Sequence, residues 1–298
     1  MTTTPVKPDS SSQSSLADSP AINLETPGLF SGEFLQETLA LARRLFIQLQ
    51  RRPSTLVAGI IQPLMWLVLF GALFKNIPEG LFGTSQTYGQ FLGAGVIVFT
   101  AFSGALNAGL PVMFDREFGF LNRLLVAPLA SRFSIVLASA IFITTLSLIQ
   151  TTAIIAVSAL LGAGLPDLLG LGIVATIVLL LVLGVTALSL GLAFAMPGHV
   201  ELIAVIFVTN LPLLFSSTAL VPLSFMPVWL QTIASLNPLS YAIEPIRYIY
   251  LHSDWSLSSV VLQAPWGPIT MGVALLVLMV FDGLALLSVQ QLLRRTLA

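Results

Sequence analysis

Few residues in this chain could carry out chemistry, and their spacing rules out most of it. The two lysines, Lys7 and Lys75, follow Val6 and Phe74. A phosphate-binding Walker loop needs a lysine directly after glycine and before Ser or Thr, so the chain has no such loop. There is no cysteine, hence no disulfide, thiolate nucleophile or cysteine-based zinc site. The two histidines, His199 and His252, fall on opposite sides of the membrane in the span order given below. They are read as separate interfacial polar residues, not as a shared metal site or a dyad. No G-x-S-x-G, H-E-x-x-H or paired intramembrane carboxylate is found. The acid placed deepest in an apolar run is Asp282. An ionised group at mid-bilayer costs roughly 2.5–3.5 kcal/mol on insertion scales. It serves either as a functional group or as a partner for a neighbouring helix or subunit. A lone acid makes a poor proton path. Asn107, Gln150 and Asn210 are the other strongly polar residues in apolar runs, and such amides commonly bond between helices.

The elements that position these residues are hydrophobic. Of 298 residues 56% are hydrophobic and 8% charged, and mean hydropathy is +0.96. A soluble domain carries roughly 25% charged residues. This composition would leave a soluble domain covered in apolar patches, so the sequence describes an all-α polytopic membrane protein. A net charge of −1 offers no electrostatic footprint for nucleic acid. The expected surroundings are membrane lipids.

Residues 1–28 are rich in Ser, Thr and Pro and lack an apolar run, so they are expected to form a disordered tail, not a secretory signal. Residues 29–52 form an amphipathic helix. Leu35, Leu39, Ala42, Phe46 and Leu49 recur at helical spacing, and the segment is expected to lie in the membrane interface and feed the first span. Six spans follow, at about 56–74, 91–113, 134–162, 168–196, 202–221 and 269–291. Pro63 and Pro212 fall inside the first and fifth and are expected to kink them. Small residues at four-residue spacing, Ala101–Ala105–Gly109 and Ala187–Gly191–Ala195, permit close helix packing.

Six spans put both termini on one side. With them lie Lys7, Arg43, Arg44, Arg51, Arg52, Arg116, Arg123, Arg132, Arg294 and Arg295, leaving only Lys75 and Arg247 on the other. The positive-inside rule then makes both termini cytoplasmic. In the cytoplasmic loop after the second span, Asp115 is expected to cap a short helix ending near Pro128. Arg116, Glu117, Asn122 and Arg123 are left to face water or a partner. The long external connection, 222–268, is expected to form two short helices, about 227–236 and 239–252, broken at Asn237-Pro238. They make a helical hairpin that re-enters the outer leaflet before the last span.

Two segments resemble those of a known family. Asp115-Arg116-Glu117-Phe-Gly-Phe-Leu-Asn-Arg-Leu-Leu-Val-Ala-Pro-Leu is similar to the loop signature of the type-2 ATP-binding-cassette exporter permeases. Asn237-Pro238-Leu-Ser-Tyr241-Ala-Ile-Glu244-Pro-Ile-Arg247 is similar to that family's external N-P-x-x-Y-x-x-[DE]-x-x-R stretch. Phe120 departs from the small or polar residue often found at its place. The resemblance covers about residues 29–298 and is nearest to drug-resistance and nodulation-factor exporter permeases. It implies a homodimer, or a pair with a close homologue, joined to two ABC ATPase subunits. ATP and Mg would be bound by the partner ATPase and no cofactor by this chain, which is not itself an enzyme. Arg43 and Arg44 on the interfacial helix, with Arg116, Glu117 and Arg123, would be the ATPase-coupling contacts. Asn237, Pro238, Tyr241, Glu244 and Arg247 would shape an external gate. Glu244 and Arg247, three apart on a helix, could pair. The cargo would be a hydrophobic drug-like molecule, a lipid or a glycan, and the site the bacterial plasma (inner) membrane.

Two other classes compete. A secondary transporter would show inverted repeats and ion ligands at broken midplane helices, and neither is found. A membrane enzyme would need a cluster of catalytic groups, which is also missing.

Overall fold

The computed structural model describes residues 32–73, 88–119, 133–160, 165–252 and 254–296. The tail 1–28 and the part of the coupling loop holding Asn122, Arg123 and Pro128 lie outside them. The helices are α1 (Gly32–Arg51), α2 (Pro53–Leu73), α3 (Tyr88–Leu106), α4 (Gly109–Glu117), α5 (Phe133–Leu160), α6 (Leu168–Ala195) and α7 (His199–Phe215). After them come α8 (Val228–Leu236), α9 (Pro238–Leu251), the strands β1 (Val260–Ala264) and β2 (Gly267–Thr270), and α10 (Met271–Thr296).

Among the described residues, five helical stretches are long and apolar enough to cross a membrane: 56–73, 91–117, 137–160, 168–195 and 271–292. The expected fifth span corresponds to α7, which has only 17 residues and a length of about 26 Å at 1.5 Å per residue. It stops at a run of turns, 216–219. There the Ser217 hydroxyl bonds back to the Leu214 carbonyl at 2.6 Å. Both α2 and α7 continue as single helices through Pro63 and Pro212.

The core is built around α3 and α6. Leu92, Ile97 and Ala101 on α3, with Ile177, Leu181 and Val182 on α6, are fully buried, and α9 and α10 pack against the same core. By contrast, α2 leaves Val57, Ile61, Met65 and Leu69 exposed. An apolar helix with so little protein cover is suited to lipid or to another apolar chain.

The second span is interrupted, where the sequence suggested one uninterrupted helix. Between α3 and α4 the ladder breaks at Asn107-Ala108, and Ser189 of α6 repairs it. Its hydroxyl accepts from Gly109 N at 2.9 Å and donates to the Leu106 carbonyl at 2.5 Å. A Cβ at Gly109 would collide with the Ser189 carbonyl, so only glycine allows this approach. The small-residue spacing around Gly109 thus marks a close backbone contact.

Helix α1 is amphipathic as expected, but the face it buries is displaced by one residue. Phe34, Thr38 and Ala42 pack inward, while Leu35 and Leu39 point outward. Phe46 meets Phe142 of α5 edge to face, with ring centroids 5.2 Å apart. An outward leucine face on a helix already anchored to the bundle suits an interfacial position.

The connection after α7 has the two expected helices, α8 and α9, meeting at Asn237. It also contains an element that an all-α fold leaves out. Strands β1 and β2 pair antiparallel, Leu262 opposite Ile269 and Ala264 opposite Gly267. Val260, Val261, Ile269 and Thr270 are β-branched and flank Pro-Trp-Gly, where Gly267 takes a φ of +138°.

Candidate functional site

Two polar clusters stand at opposite ends of α3–α4. The first gathers around α4. Arg44 of α1 forks onto Asp115, Nη1 to Oδ2 and Nη2 to Oδ1, both 2.8 Å. This bidentate geometry fixes orientation as well as distance. Asp115 lies inside α4, so it is an ion-pair partner and not the helix cap expected from sequence.

Arg116, half-buried, turns its guanidinium onto backbone carbonyls. Its Nη1 donates to the Ala193 carbonyl at 2.9 Å and to Phe194 at 3.4 Å. Its Nη2 donates to Met196 at 2.5 Å and Pro197 at 2.9 Å. These carbonyls close the C-terminal end of α6. They lack helical partners and carry the negative end of the helix dipole, so a guanidinium is the natural cap.

Glu117 performs the complementary task. One carboxylate oxygen accepts from the backbone N–H of His199 at 2.6 Å, and the other lies 2.5 Å from the His199 ring Nδ1. Residue 199 opens α7, whose own cap position, Gly198, has no side chain to offer. An anion from α4 therefore satisfies the start of α7. His199 is thus not a lone histidine; its ring also packs at a tilt against Phe114, with centroids 5.3 Å apart. Arg43 is exposed. In sum, α4 is tied to α1, to the end of α6 and to the start of α7 by charged or charge-assisted bonds.

The second cluster lies at the far end of α3. Asn237 caps α9 by accepting from Leu239 N at 2.9 Å. Its amide donates to the carbonyls of Leu213 at 2.8 Å and Ser216 at 3.0 Å, pinning the turn after α7. Pro238 occupies the first helical turn, where its missing N–H costs nothing. Tyr241 is buried. Arg247 pairs with Glu244 at 2.5 Å and donates to the Thr218 carbonyl at 2.7 Å and the Phe91 carbonyl at 3.3 Å. Its guanidinium carbon sits 3.6 Å from the centre of the Phe91 ring. The pair expected from sequence forms, and it joins α9 to the start of α3 and to the turn after α7.

Of the four intramembrane polar residues, Asn107, Asn210 and Asp282 do not form one site, and Gln150 is buried on α5. Asn107 donates to the Ser103 carbonyl at 2.7 Å and Asn210 to the Ser103 hydroxyl at 3.3 Å, so those two meet through Ser103. Asp282 stands apart on α10, buried against Gly184 of α6. A Cβ at Gly184 would fall on the Asp282 carboxylate and within 2.7 Å of the Phe281 ring. The glycine makes room for the acid. Gly184→Ile is therefore expected to destabilise the fold by about 1–3 kcal/mol through overpacking. Asp282→Asn, which keeps the shape, should melt close to wild type. Thermal midpoints in detergent check both.

Sequence reasoning gave Asp115 and His199 other roles, a helix cap and a separate interfacial residue, and did not single out Ser189, which joins α3 and α4, or Thr218, which receives Arg247. Asp115 and His199 carried a signal: each is polar and sits at the end of an apolar run. Thr218 carried none, because it acts through its carbonyl.

Membrane-length apolar helices, closed at one end by a charged cluster and at the other by a buried Glu–Arg pair beneath a helical and β hairpin, define a polytopic membrane protein of the transport kind. The chain belongs to the ABC-2 type transporter family, whose model matches residues 36–251. It is 55% identical to the transport permease ycf38 of Porphyra purpurea over 278 residues, covering 93% of this chain and 96% of that one. It is 53% identical to ycf38 of Cyanophora paradoxa over 261 residues, covering 88% and 90%. It is 27% identical to the doxorubicin resistance ABC transporter permease DrrC of Mycobacterium tuberculosis over 226 residues, covering 72% and 76%.

Proposed function

We propose that this chain is the membrane-spanning subunit of an ATP-driven exporter, working with a separate ABC ATPase that binds ATP and Mg. The observation that carries this reading is the anchoring of α4. The helix whose last turn opens the coupling-loop signature is bonded to α1, α6 and α7 at once, through Arg44–Asp115, Arg116 and Glu117–His199. A push on that loop would therefore reach three other helices through short, charged connections. Arg43 and Arg123 complete the docking surface in this reading. Asn237, Pro238, Tyr241, Glu244 and Arg247 form the rigid outer end against which an exit opens.

The ATPase docks on the cytoplasmic face, which also holds both termini, in the plasma (inner) membrane of a bacterial cell. A second copy of the chain, or a close homologue, completes the path. The uncovered face of α2 supports this. It bears a recess of about 440 Å³ lined by Gln62, Met65, Trp66 and Phe70, and Gln62 is exposed there among apolar residues. An amide turned toward lipid is costly, whereas one turned toward a second copy or a wet path is not. The cargo is a hydrophobic drug-like molecule, a lipid or a glycan; the name of the Mycobacterium relative favours the first.

The test is affinity purification of the tagged full chain in mild detergent, reading partner mass and ATPase activity together. A stoichiometric partner with a Walker loop is expected. A chain that purifies alone under several detergents, with no ATPase activity, overturns the reading and favours a secondary transporter.

A further inference from the structure

Beside the Glu244–Arg247 pair lies a cavity of about 350 Å³, walled by Phe91, Leu223, Leu251 and Leu262, with Gln231 and Glu244 among its polar lining residues. Its size falls in the range of small-molecule sites, and its lining includes one carboxylate, that of Glu244. Arg247, the cation at its edge, already donates to Glu244, Thr218 and Phe91 and lies over the Phe91 ring. Glu244 accepts from Arg247 through Oε1, and among the described residues no other hydrogen bond to its carboxylate is seen. Gln231 donates its amide to the Met226 carbonyl at 2.8 Å, which leaves its oxygen as an acceptor. The cavity thus offers two acceptors, one of them anionic, above an apolar floor, with the neutral Ser224, Tyr248 and Gln263 completing its polar lining.

We propose that this cavity binds an amphiphile with a hydrogen-bond-donating cationic head, a primary ammonium, on an apolar body. The head sits against Glu244 and the Gln231 oxygen, and the body lies along Leu223, Leu251 and Leu262. A phosphate or carboxylate head is disfavoured: it would meet the Glu244 carboxylate, to which Arg247 is already paired. Such a head is carried both by soluble amphiphilic amines and by aminophospholipids. The site rests on the geometry of this one chain and needs no ATPase, so its failure leaves the exporter reading untouched.

The experiment uses the purified full chain in detergent at neutral pH, with dodecylamine, dodecanol and dodecyl sulfate at matched sub-micellar concentrations. Occupancy is read by native mass spectrometry. Dodecylamine is expected to bind roughly tenfold more tightly than dodecanol, about 1.4 kcal/mol, with dodecyl sulfate weakest. Glu244→Gln should reduce the preference for amine over alcohol to near unity. Because that change also touches the ion pair, Ser224→Trp serves as a second variant. Ser224 is an exposed lining residue, so the indole should block the cavity and abolish amine binding without shifting the thermal midpoint. Equal binding of amine and alcohol to the wild type overturns the proposal. So does an amine preference that survives in a folded Ser224→Trp protein. Co-purified phosphatidylethanolamine, displaced by dodecylamine while phosphatidylglycerol is not retained, would identify a lipid as the natural occupant. Amine binding to a lipid-free protein that does not take up added phosphatidylethanolamine would identify a soluble amphiphile.

Discussion

Replacing Arg247 by alanine is expected to be the most destabilising single change in the chain, lowering the thermal midpoint by about 10 °C. The arginine side chain is 7% exposed and its partner Glu244 13%. Removing one member of so enclosed a pair leaves the other charge without compensation, at a cost of about 3–5 kcal/mol. The loss extends further, because the carbonyls of Thr218 and Phe91 lose their donor and the Phe91 ring loses its cation. Arg247→Lys should recover only part of this, since one ammonium cannot reach three separated acceptors as a planar fork does. Glu244→Gln should be milder than either, because its amide oxygen still accepts. Fluorescence-detected size exclusion after a temperature series gives the ranking. If Arg247→Ala melts with the wild type, the outer end is not held together by this residue.

Arg247 also shows what a sequence can and cannot display. Its pairing with Glu244 was legible because both lie on one helix, three residues apart. Its bonds to Thr218 and Phe91 were not, because backbone carbonyls leave no trace in residue type. The same division holds elsewhere. The break between α8 and α9 was legible from Asn237-Pro238, a cap followed by a residue suited to the first helical turn. The break between α3 and α4 was hidden, since it depends on a serine of α6 reaching across to Gly109. The β hairpin at 260–270 did leave a signal in its β-branched residues around Pro-Trp-Gly. The expected helices end at about 252, and no element is assigned to this stretch from sequence. Tertiary contacts, not local propensity, decided the break between α3 and α4 and the carbonyl partners of Arg247.

The charged residues before the coupling loop reveal a further ambiguity. Hydropathy marks Arg116 and Glu117 as residues too polar to be buried, and an outside partner is the simplest use for them. The structure supplies an internal use first: Arg116 closes α6 and Glu117 opens α7. A substitution such as Glu117→Lys would place a cation at a helix N-terminus. Its effect on transport would therefore mix lost coupling with local unfolding. Arg44 and Asp115 are cleaner probes, because their side chains remain 31% and 25% exposed and fork onto each other.

Reversing the charge of Asp115 should lower transport by at least tenfold while leaving the thermal midpoint nearly unchanged. The stability expectation follows from exposure: a partly solvated ion pair contributes up to about 1 kcal/mol. The transport expectation follows from position. This fork joins the interfacial helix α1 to α4, so Asp115→Arg turns an attachment at 2.8 Å into a repulsion against Arg44. If α1 and α4 must move together when an ATPase pushes on the loop, that repulsion lets them separate. Arg44→Asp should do the same from the other side. The double reversal Arg44→Asp with Asp115→Arg rebuilds the pair with its poles exchanged and should restore most of the transport, the signature of a direct interaction in a double-mutant cycle. ATPase activity of the complex, measured alongside, should persist in the single variants and become coupled again in the double. Normal transport by a folded Asp115→Arg protein would remove the fork from the coupling route. A double reversal that folds, assembles and stays inactive would show that the individual charges, and not their attachment, are what the partner reads.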